Sequence, residues 1–323
     1  MTDILFITGT RVGDAVLSTG LLGHLMEKNP DARITVACGP VAAPLFAAVP
    51  NLRRVIAMRK QPRGGHWFSL WSACVGTWWH TIVDLRGSAI AYLLPAAHRY
   101  VKRPSKGQGL HVVQQLARTL GLEANPPDPR LWTAPEHWQV AEHLIPAGGP
   151  VLGLGPAANW RGKEWPAEKF IELMRRLTAP SGVLPHARVA VFGAEEDRPR
   201  TDPVLAALAS DRRIDLVGRA DLLTAFVCLR RCALYVGNDS GTMHMAAAAG
   251  TPTLGLFGPS KEDDYRPWGP HTEFVRTPES YDELIGRPGY DHRTTGTMMG
   301  NLSVETVEAA ANALLRRCKG AAA

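Results

Sequence analysis

Short apolar runs alternate along this chain with longer segments in which apolar residues recur at helical spacing. The runs read ILFIT, RITVAC, TIVDLRG, ARVAVFGA, RIDLVG, ALYVG and TPTLGLFG. Such alternation predicts parallel β-sheets with helices on both faces, an α/β fold. The last helix is predicted over about residues 303–318, because Ser303 is a favourable N-cap residue.

The two halves of the chain begin in the same way. A strand at residues 4–8 leads into the loop GTRVGD and a helix, and a strand at 151–154 leads into GPAANWRGKEWP and another helix. The stretch between them is rich in proline and ends in Gly-Gly-Pro, which indicates a hinge near residues 145–150. We therefore expect two doubly wound, Rossmann-like domains, 1–148 and 149–323, that face a central cleft. The last helix is expected to pack back toward the first domain.

The segment LYVGNDSGTMHMAAAAG combines a buried strand, a polar turn and a helix. The first backbone N–H groups of a helix lack internal partners and carry partial positive charge, so they attract anions. Gly241 would let a ligand approach that backbone closely. Plain N-capping also explains the turn and is favoured on the turn alone, although Met243 stands where a strict capping box has Glu or Gln.

Three other turns carry candidate chemistry. Asp14 occupies the place where a P-loop has its lysine, so it suits a base or a hydroxyl-binding group, or simply a helix start. Lys163 precedes a helix and is either a phosphate partner or a solvated surface lysine. Glu195 and Glu196 follow a strand, where an acid binds ribose hydroxyls or provides favourable charge at a helix start.

Taken together, GTRVGDAVLSTGLLGHL, GPAANWRGKEWPAEKF, FGAEED and VGNDSGTMHMAAAAGTPTLGLFGPS resemble glycosyltransferase family 9. This family includes the bacterial ADP-heptose:lipopolysaccharide heptosyltransferases. The resemblance implies a GT-B fold and an inverting, metal-independent transfer of heptose from ADP-heptose to the lipopolysaccharide inner core, with no cofactor. One departure is Gly296-Thr297-Met298-Met299, where family members often carry cysteines.

By position, the resemblance makes Asp14 the catalytic base that deprotonates the acceptor hydroxyl. It makes Lys163 the partner of the donor diphosphate, and it places a ribose-binding acid at Glu195 or Glu196. The remaining donor-binding candidates are Asn159, Asp239, Ser240, Gly241, Thr242 and His244. Acceptor-binding candidates are Arg86, Lys106 and His111, although a solvated basic face is the alternative for each basic residue.

Composition narrows the partners. The 323 residues carry a net charge of +6, which suggests acidic partners, but no nucleic-acid-binding motif accompanies it. No signal peptide is evident, and no apolar run could span a bilayer. We expect a cytoplasmic protein that is peripheral at the cytoplasmic face of the inner membrane.

Two patterns of apolar residues have structural and functional interpretations. The five cysteines are scattered, and Cys228 and Cys232 are expected on the core face of a helix rather than in a metal pair. Trp67, Trp71 and Trp78 recur at helical spacing together with Cys74 and Val75, and we expect this stripe in the core. If it were exposed, it would be a membrane-interface anchor beside basic residues.

Two other functions remain open at this stage. The first keeps the fold but uses another nucleotide sugar, or a protein or O-antigen acceptor. The second is a non-catalytic nucleotide-sugar binding protein. The joint presence of Asp14, Lys163 and Asp239 argues against the latter.

Overall fold

The computed structural model describes residues 2–104 and 109–320, and the chain divides into two compact units, residues 1–134 and 135–323. The strands are β1 (Asp3–Ile7), β2 (Arg33–Cys38), β3 (Leu52–Ala57), β4 (Trp79–Asp84), β5 (Ala96–Val101), β6 (Val151–Gly155), β7 (Arg188–Val191), β8 (Arg213–Asp215), β9 (Leu234–Asn238), β10 (Thr253–Phe257) and β11 (Thr272–Arg276). The helices are α1 (Val12–Lys28), α2 (Gly65–Cys74), α3 (Ile90–Leu93), α4 (Val112–Ala117), α5 (Pro135–Leu144), α6 (Ala167–Leu177), α7 (Arg198–Ala206), α8 (Leu222–Arg230), α9 (Gly241–Ala248), α10 (Glu262–Tyr265), α11 (Tyr281–Ile285) and α12 (Val304–Gly320). Short 3-10 helices lie at Ala43–Phe46, Pro62–Gly64, Arg118–Leu120, Arg161–Lys163 and Glu195–Asp197.

The first unit contains a five-stranded sheet in the order β3-β2-β1-β4-β5, with every described strand pair parallel. The chain reverses its direction of travel across the sheet between β1 and β4, which makes this the topological switch point. Ligands of open α/β sheets bind beyond the carboxyl ends of the strands at such a point. The loops that leave there begin at Thr8 and Leu85.

The second unit contains a six-stranded parallel sheet in the order β11-β10-β9-β6-β7-β8. Its first strand, β6, lies beside its fourth, β9, so the switch point falls between them. This is the strand order of a Rossmann fold. The predicted α/β, doubly wound architecture is therefore confirmed in each unit.

Continuous apolar strands build both cores, as expected for parallel sheets buried on two faces. In the second unit, β6 and β9 pack with Trp165, Phe170 and the apolar side of α12. Ser303 caps α12 through a bond from the Thr306 backbone N–H to its hydroxyl oxygen, 3.1 Å, as the sequence predicts. Within its own unit, α12 packs on α6, β9, β10 and β11. Its expected approach to the first domain stays a prediction.

The division between the units precedes α5, whereas the sequence suggests a boundary at 148/149. Helix α5 packs against α8 in the second unit. Arg231 donates from Nε to the Ile145 carbonyl at 2.7 Å, and the Arg230 guanidinium lies 5.4 Å from the Trp138 ring centroid. These contacts attach the Pro-rich connection to the second unit.

The prediction that the paired cysteines lie in the core is confirmed, whereas the same prediction for the tryptophan stripe is confirmed only in part. Cys228 on α8 and Cys232, two residues after the end of α8, are both buried, which confirms their place in the core. Burial raises the pKa of the Cys228 thiol to about 12. In the stripe, Cys74 is buried and Trp67 and Trp71 are half-buried, but Val75 and Trp78 are exposed. The core prediction is wrong for these last two, because α2 ends at Cys74 and both residues lie in the turn between α2 and β4, where helical spacing no longer applies.

Candidate active site

The loops that follow β6 and β9 leave the second sheet side by side at its switch point. Gly155 at the end of β6 is in register with Gly237 near the end of β9. A Cβ on Gly155 would lie 1.8 Å from the Tyr235 hydroxyl oxygen, and one on Gly237 would lie 2.4 Å from it. The two glycines therefore make room for the buried Tyr235 ring beneath the loops. Burial raises the pKa of the Tyr235 phenol, so it stays protonated.

Asn238 connects the two loops. Its amide nitrogen donates to the Pro156 carbonyl at 2.7 Å, and its amide oxygen accepts from the Trp165 backbone N–H at 3.1 Å. Its side chain is fully buried, so both bonds form away from water. Asn238 thus fixes the two ends of the loop that carries Lys163.

Lys163 and Asp239 meet at the start of α9. Lys163 Nζ lies 2.5 Å from Asp239 Oδ2, with 19% of the lysine side chain and 6% of the aspartate side chain exposed. His244 Nε2 lies 3.8 Å from the other oxygen, Asp239 Oδ1. The ammonium is therefore held in place, partly accessible, beside the helix N-terminus.

Ser240 is the N-cap of α9, and its hydroxyl oxygen accepts from the Met243 N–H at 3.5 Å, without a capping box. Gly241 and Thr242 form the first turn and are partly accessible. Their backbone N–H groups have no carbonyl four residues earlier within the helix, so they are suited to an anion. Capping and anion binding thus use different groups of one turn.

Glu164 links the Lys163 loop to the next loop of the sheet, and the sequence does not reveal this role. Its Oε1 accepts from the Ala158 backbone N–H at 3.3 Å and lies 3.0 Å from Arg200 Nε. Arg200 also pairs with Asp197 at 2.5 Å, and Asp197 accepts from the Ala194 N–H at 2.9 Å. Burial is the largest cause that raises the pKa of Glu164.

The ribose candidates lie on the 3-10 helix Glu195–Asp197. Glu195 and Glu196 are exposed, whereas the Asp197 carboxylate already accepts hydrogen bonds from the Ala194 backbone N–H and from the Arg200 guanidinium. Glu195 Oε2 lies 3.6 Å from Arg198 Nε. A side chain on Gly218, whose φ is +66°, would collide with Glu195. The absence of a side chain at Gly218 therefore makes room for the Glu195 carboxylate. Glu195 and Glu196 stay the candidates.

The segment before α12 forms hydrogen bonds to the loop that carries Lys163. The Met298 N–H donates to the Gly162 carbonyl at 3.0 Å, and the Thr297 hydroxyl donates to the Glu164 carbonyl. Met299 is fully buried in the core of the second unit. Met298 and Met299 are both buried, so this segment adds apolar side chains to the interior of the second unit. Asn159, another donor candidate, is exposed on the same loop.

In the first unit, Asp14 lies in the first turn of α1, at the switch point of the sheet. A Cβ on Gly9 would lie 2.6 Å from Asp14 Cβ, and one on Gly39 would lie 2.3 Å from the Thr10 carbonyl oxygen. Both glycines therefore allow the loop to pack closely around Asp14. The carboxylate is partly accessible.

The acceptor candidates have different surroundings. Arg86 follows β4 at the same switch point, and its guanidinium lies 4.6 Å from the Trp67 ring centroid. Burial lowers the pKa of Arg86, and Asp84 opposes that effect. His111 is buried as the N-cap of α4, where its Nδ1 accepts from the Val113 N–H at 3.1 Å. Lys106 lies outside the described residues.

Comparison with known proteins identifies relatives and structural neighbours of the whole chain. A curated lipopolysaccharide heptosyltransferase 2 from Salmonella typhimurium is 26% identical over 87% of this chain and 90% of its own length. Its counterpart from Escherichia coli is 25% identical over 87% and 90%. The structure of a glycosyl transferase family 9 protein from Veillonella parvula has a TM-score of 0.80 at 20% identity, covering 98% of each chain. That of E. coli ADP-heptose lps heptosyltransferase II has a TM-score of 0.74 at 22% identity, covering 99% of this chain and 100% of that one.

Two Rossmann-like units with these structural neighbours define the fold class as GT-B. The model of glycosyltransferase family 9 (heptosyltransferase) matches residues 85–284, well over half of the chain. The protein therefore belongs to glycosyltransferase family 9.

Proposed function

We propose that this protein transfers heptose from ADP-heptose to a sugar of the lipopolysaccharide inner core, with inversion at the anomeric carbon. The observation that carries the proposal is the pair of Lys163 and Asp239 at the N-terminus of α9. It places fixed positive charge at the switch point of the second sheet, which suits a nucleoside diphosphate. The curated relatives described above are both named as heptosyltransferases, which supports heptose as the sugar.

The donor end of the reaction needs stabilisation of a departing diphosphate. As the bond between the anomeric carbon and the phosphate oxygen breaks, that oxygen keeps the electron pair, and negative charge grows on ADP. Lys163 and the first-turn N–H groups of α9 provide preorganised positive charge there. Ser240, Gly241, Thr242 and Asn159 would line the diphosphate, His244 and Asp239 the sugar, and Glu195 or Glu196 the ribose.

The acceptor end needs a base. In our proposal Asp14 takes the proton of the acceptor hydroxyl while that oxygen attacks the anomeric carbon from the face opposite to ADP. One bond forms and one breaks, and the configuration inverts. The start of α1 favours an ionised carboxylate, which suits removal of a proton that becomes acidic late in the reaction. Arg86, Lys106 and His111 are the proposed acceptor contacts.

The proposed reaction uses no metal and no cofactor, because Lys163 and the helix N-terminus take the charge-neutralising role that a divalent ion has in other transferases. Full activity after exhaustive chelation is the expected result, and dependence on a divalent ion would contradict this part of the proposal. No described helix is long and apolar enough to cross a membrane. We place the protein at the cytoplasmic face of the inner membrane, in peripheral contact with it.

The proposal is tested by incubating the protein with ADP-heptose and lipopolysaccharide that lacks core heptose, and by detecting the added heptose by mass spectrometry. Calorimetry against ADP- and UDP-sugars tests the donor independently. Turnover only with another nucleotide sugar, or only on a protein or O-antigen acceptor, would replace the proposed substrates. Tight donor binding without turnover on any acceptor would indicate a non-catalytic binding protein.

A further inference from the structure

An exposed apolar surface that the proposed reaction does not use lies on the first unit. It consists of Phe68, Trp71, Val75, Trp78, Tyr92 and Leu93, which we call the aromatic face. Phe68 and Trp78 are each 69% exposed, and Tyr92 and Leu93 are 67% and 62% exposed. Large exposed apolar patches on a protein surface often mark sites of interaction with another protein or with a membrane.

Contacts between α2 and α3 hold the aromatic face together. The Trp71 indole N–H donates to the Leu93 carbonyl at 3.2 Å, and the Phe68 and Trp71 ring centroids are 5.7 Å apart. Trp79, next to Trp78, donates from its indole to the Cys74 carbonyl and from its backbone to the Pro95 carbonyl, both at 3.0 Å. Trp78 is thereby placed beside the ends of both helices.

The part of the chain that carries this face is strongly basic. Residues 32–122 contain twelve of the 36 Lys and Arg residues but only one of the 30 Asp and Glu residues. That acid, Asp84, is fully buried and accepts from the backbone N–H groups of Arg86 and Ser88. This stretch therefore accounts for more than the whole net charge of the protein.

Several of these basic residues border the aromatic face directly. Arg63 lies just before α2, and Arg59 and Lys60 precede it, all exposed. Arg99 is exposed on β5 and donates from Nε to the Ala91 carbonyl at 3.0 Å and from Nη2 to the Leu94 carbonyl at 2.7 Å. Basic charge thus flanks α2 at its start and α3 at its end.

We propose that the aromatic face and its basic border dock the protein onto an anionic lipid bilayer. Tryptophan and phenylalanine partition into the interfacial region, and Lys and Arg are attracted to anionic headgroups. Charge complementarity selects an anionic membrane over a second copy of this chain, since a second copy would bring the same excess of positive charge. The inference rests on the proposed function, in which the acceptor is lipid-linked.

The test is sedimentation of the full-length protein with vesicles of phosphatidylcholine containing phosphatidylglycerol, and with vesicles of phosphatidylcholine alone. The wild type should bind the anionic vesicles and bind the neutral ones much more weakly. The double variant Phe68→Ser/Trp78→Ser should lose at least about tenfold in partitioning. The double variant Arg59→Glu/Arg63→Glu should lose roughly tenfold or more on anionic vesicles only.

Matched controls come from the second unit. Trp138→Ser removes a partly exposed tryptophan, and Arg316→Glu reverses an exposed charge, and neither should change vesicle binding. Circular dichroism and ADP binding, expected to be unchanged in every variant, show that the variants are folded. Equal binding of wild type and aromatic-face variants, or equal binding of the wild type to both vesicle types, would overturn the proposal.

Two other partners could bind the aromatic face or its basic border, and each would give a distinct experimental result. A dimer that dissociates in the Phe68→Ser/Trp78→Ser variant, without vesicle binding, would assign the face to a second copy and overturn the proposal. Binding of a DNA or RNA oligonucleotide that depends on Arg59 and Arg63, without vesicle binding, would do the same in favour of nucleic acid.

A turnover measurement separates this inference from the proposed function. On an acceptor freed of acyl chains the aromatic-face variants should keep the wild-type rate, whereas on vesicle-embedded acceptor they should slow by the same factor as their partitioning. Vesicle binding as expected without any heptosyl transfer would refute the function and leave the docking surface. Transfer with unchanged rates on embedded acceptor would refute the surface and leave the function.

Discussion

Replacing Lys163 with methionine should lower both the stability of the protein and its affinity for ADP. In the free protein the Lys163 ammonium lies 2.5 Å from a carboxylate that is only 6% exposed. Removing the cationic partner of a fully buried pair costs about 3–5 kcal/mol, because it leaves an uncompensated charge. Since 19% of the lysine side chain is exposed, we expect a loss of about 2 kcal/mol in the free energy of unfolding.

The double variant Lys163→Met/Asp239→Asn tests the cause of that loss. If the cost comes from the unpaired carboxylate, neutralising Asp239 should restore about half or more of the stability lost in Lys163→Met. Urea unfolding followed by tryptophan fluorescence measures both variants. A double variant that is less stable than Lys163→Met would refute this reasoning.

The affinity for ADP follows a different pattern. Hydrogen bonds to a charged group contribute about 1.5–3 kcal/mol, so Lys163→Met should weaken ADP binding by roughly tenfold to a hundredfold in calorimetry. The double variant should recover only a small part of it, because the repulsion by Asp239 is removed but the ammonium is still absent. Arg161→Met, an exposed basic residue on the same loop, is the matched control and should change affinity less than about threefold. ADP affinity of Lys163→Met within twofold of wild type would rule out the diphosphate role.

Three further predictions concern the base, the loop junction and the glycine at the switch point. Asp14→Asn should keep ADP affinity and lose about 10²–10⁴-fold in turnover, and normal turnover would exclude Asp14 as the base. Burial raises the pKa of Glu164 above its ordinary value, so the folded protein binds this proton more readily than the unfolded chain. The stability of wild type relative to Glu164→Gln should therefore be highest at low pH and fall as pH rises through the folded-state pKa of Glu164, and a rise over that range in urea unfolding would contradict the burial argument. Gly155→Ala should cost about 1–3 kcal/mol or more, because its Cβ would lie 1.8 Å from the Tyr235 hydroxyl oxygen. Tyr235→Phe should relieve part of that cost, and Gly149→Ala, where a Cβ would contact nothing within 4 Å, is the control in thermal unfolding.

Much of the fold is predictable because central parallel strands are buried on both faces and appear as continuous apolar runs. The strands that the sequence does not predict, β3, β5 and β11, all lie at a sheet edge, although the fourth edge strand, β8, is predicted from the run RIDLVG. Their sequences LRRVIA, AAHRYV and TEFVR carry charged residues because their side chains are partly exposed. Edge position is a property of the assembled sheet, so local sequence does not reveal it.

The candidate site is predictable only in part, for a related reason. Lys163 and Asp239 each stand on a turn after a strand, which the sequence shows, and the sheet topology brings the turns together. The residues that fix these turns make contacts across long stretches of sequence, Asn238 to Trp165 and Met298 to Gly162 among them. The tryptophan stripe shows a second limit of the sequence. Helical spacing predicts that residues share one face, but it does not predict whether another element covers that face.

The pairing of Lys163 with Asp239 bears on how a donor is bound and released. Holding the ammonium in place before the ligand arrives means that its ordering is completed during folding, so little rotamer freedom is lost on binding. In the proposed reaction the same carboxylate would repel the diphosphate and lower its affinity. Negative charge on ADP is greater after the sugar leaves than before, so in this proposal Lys163 and the start of α9 would stabilise the transition state more than the bound donor. Repulsion by Asp239 would offset part of that stabilisation after transfer and so favour release of ADP.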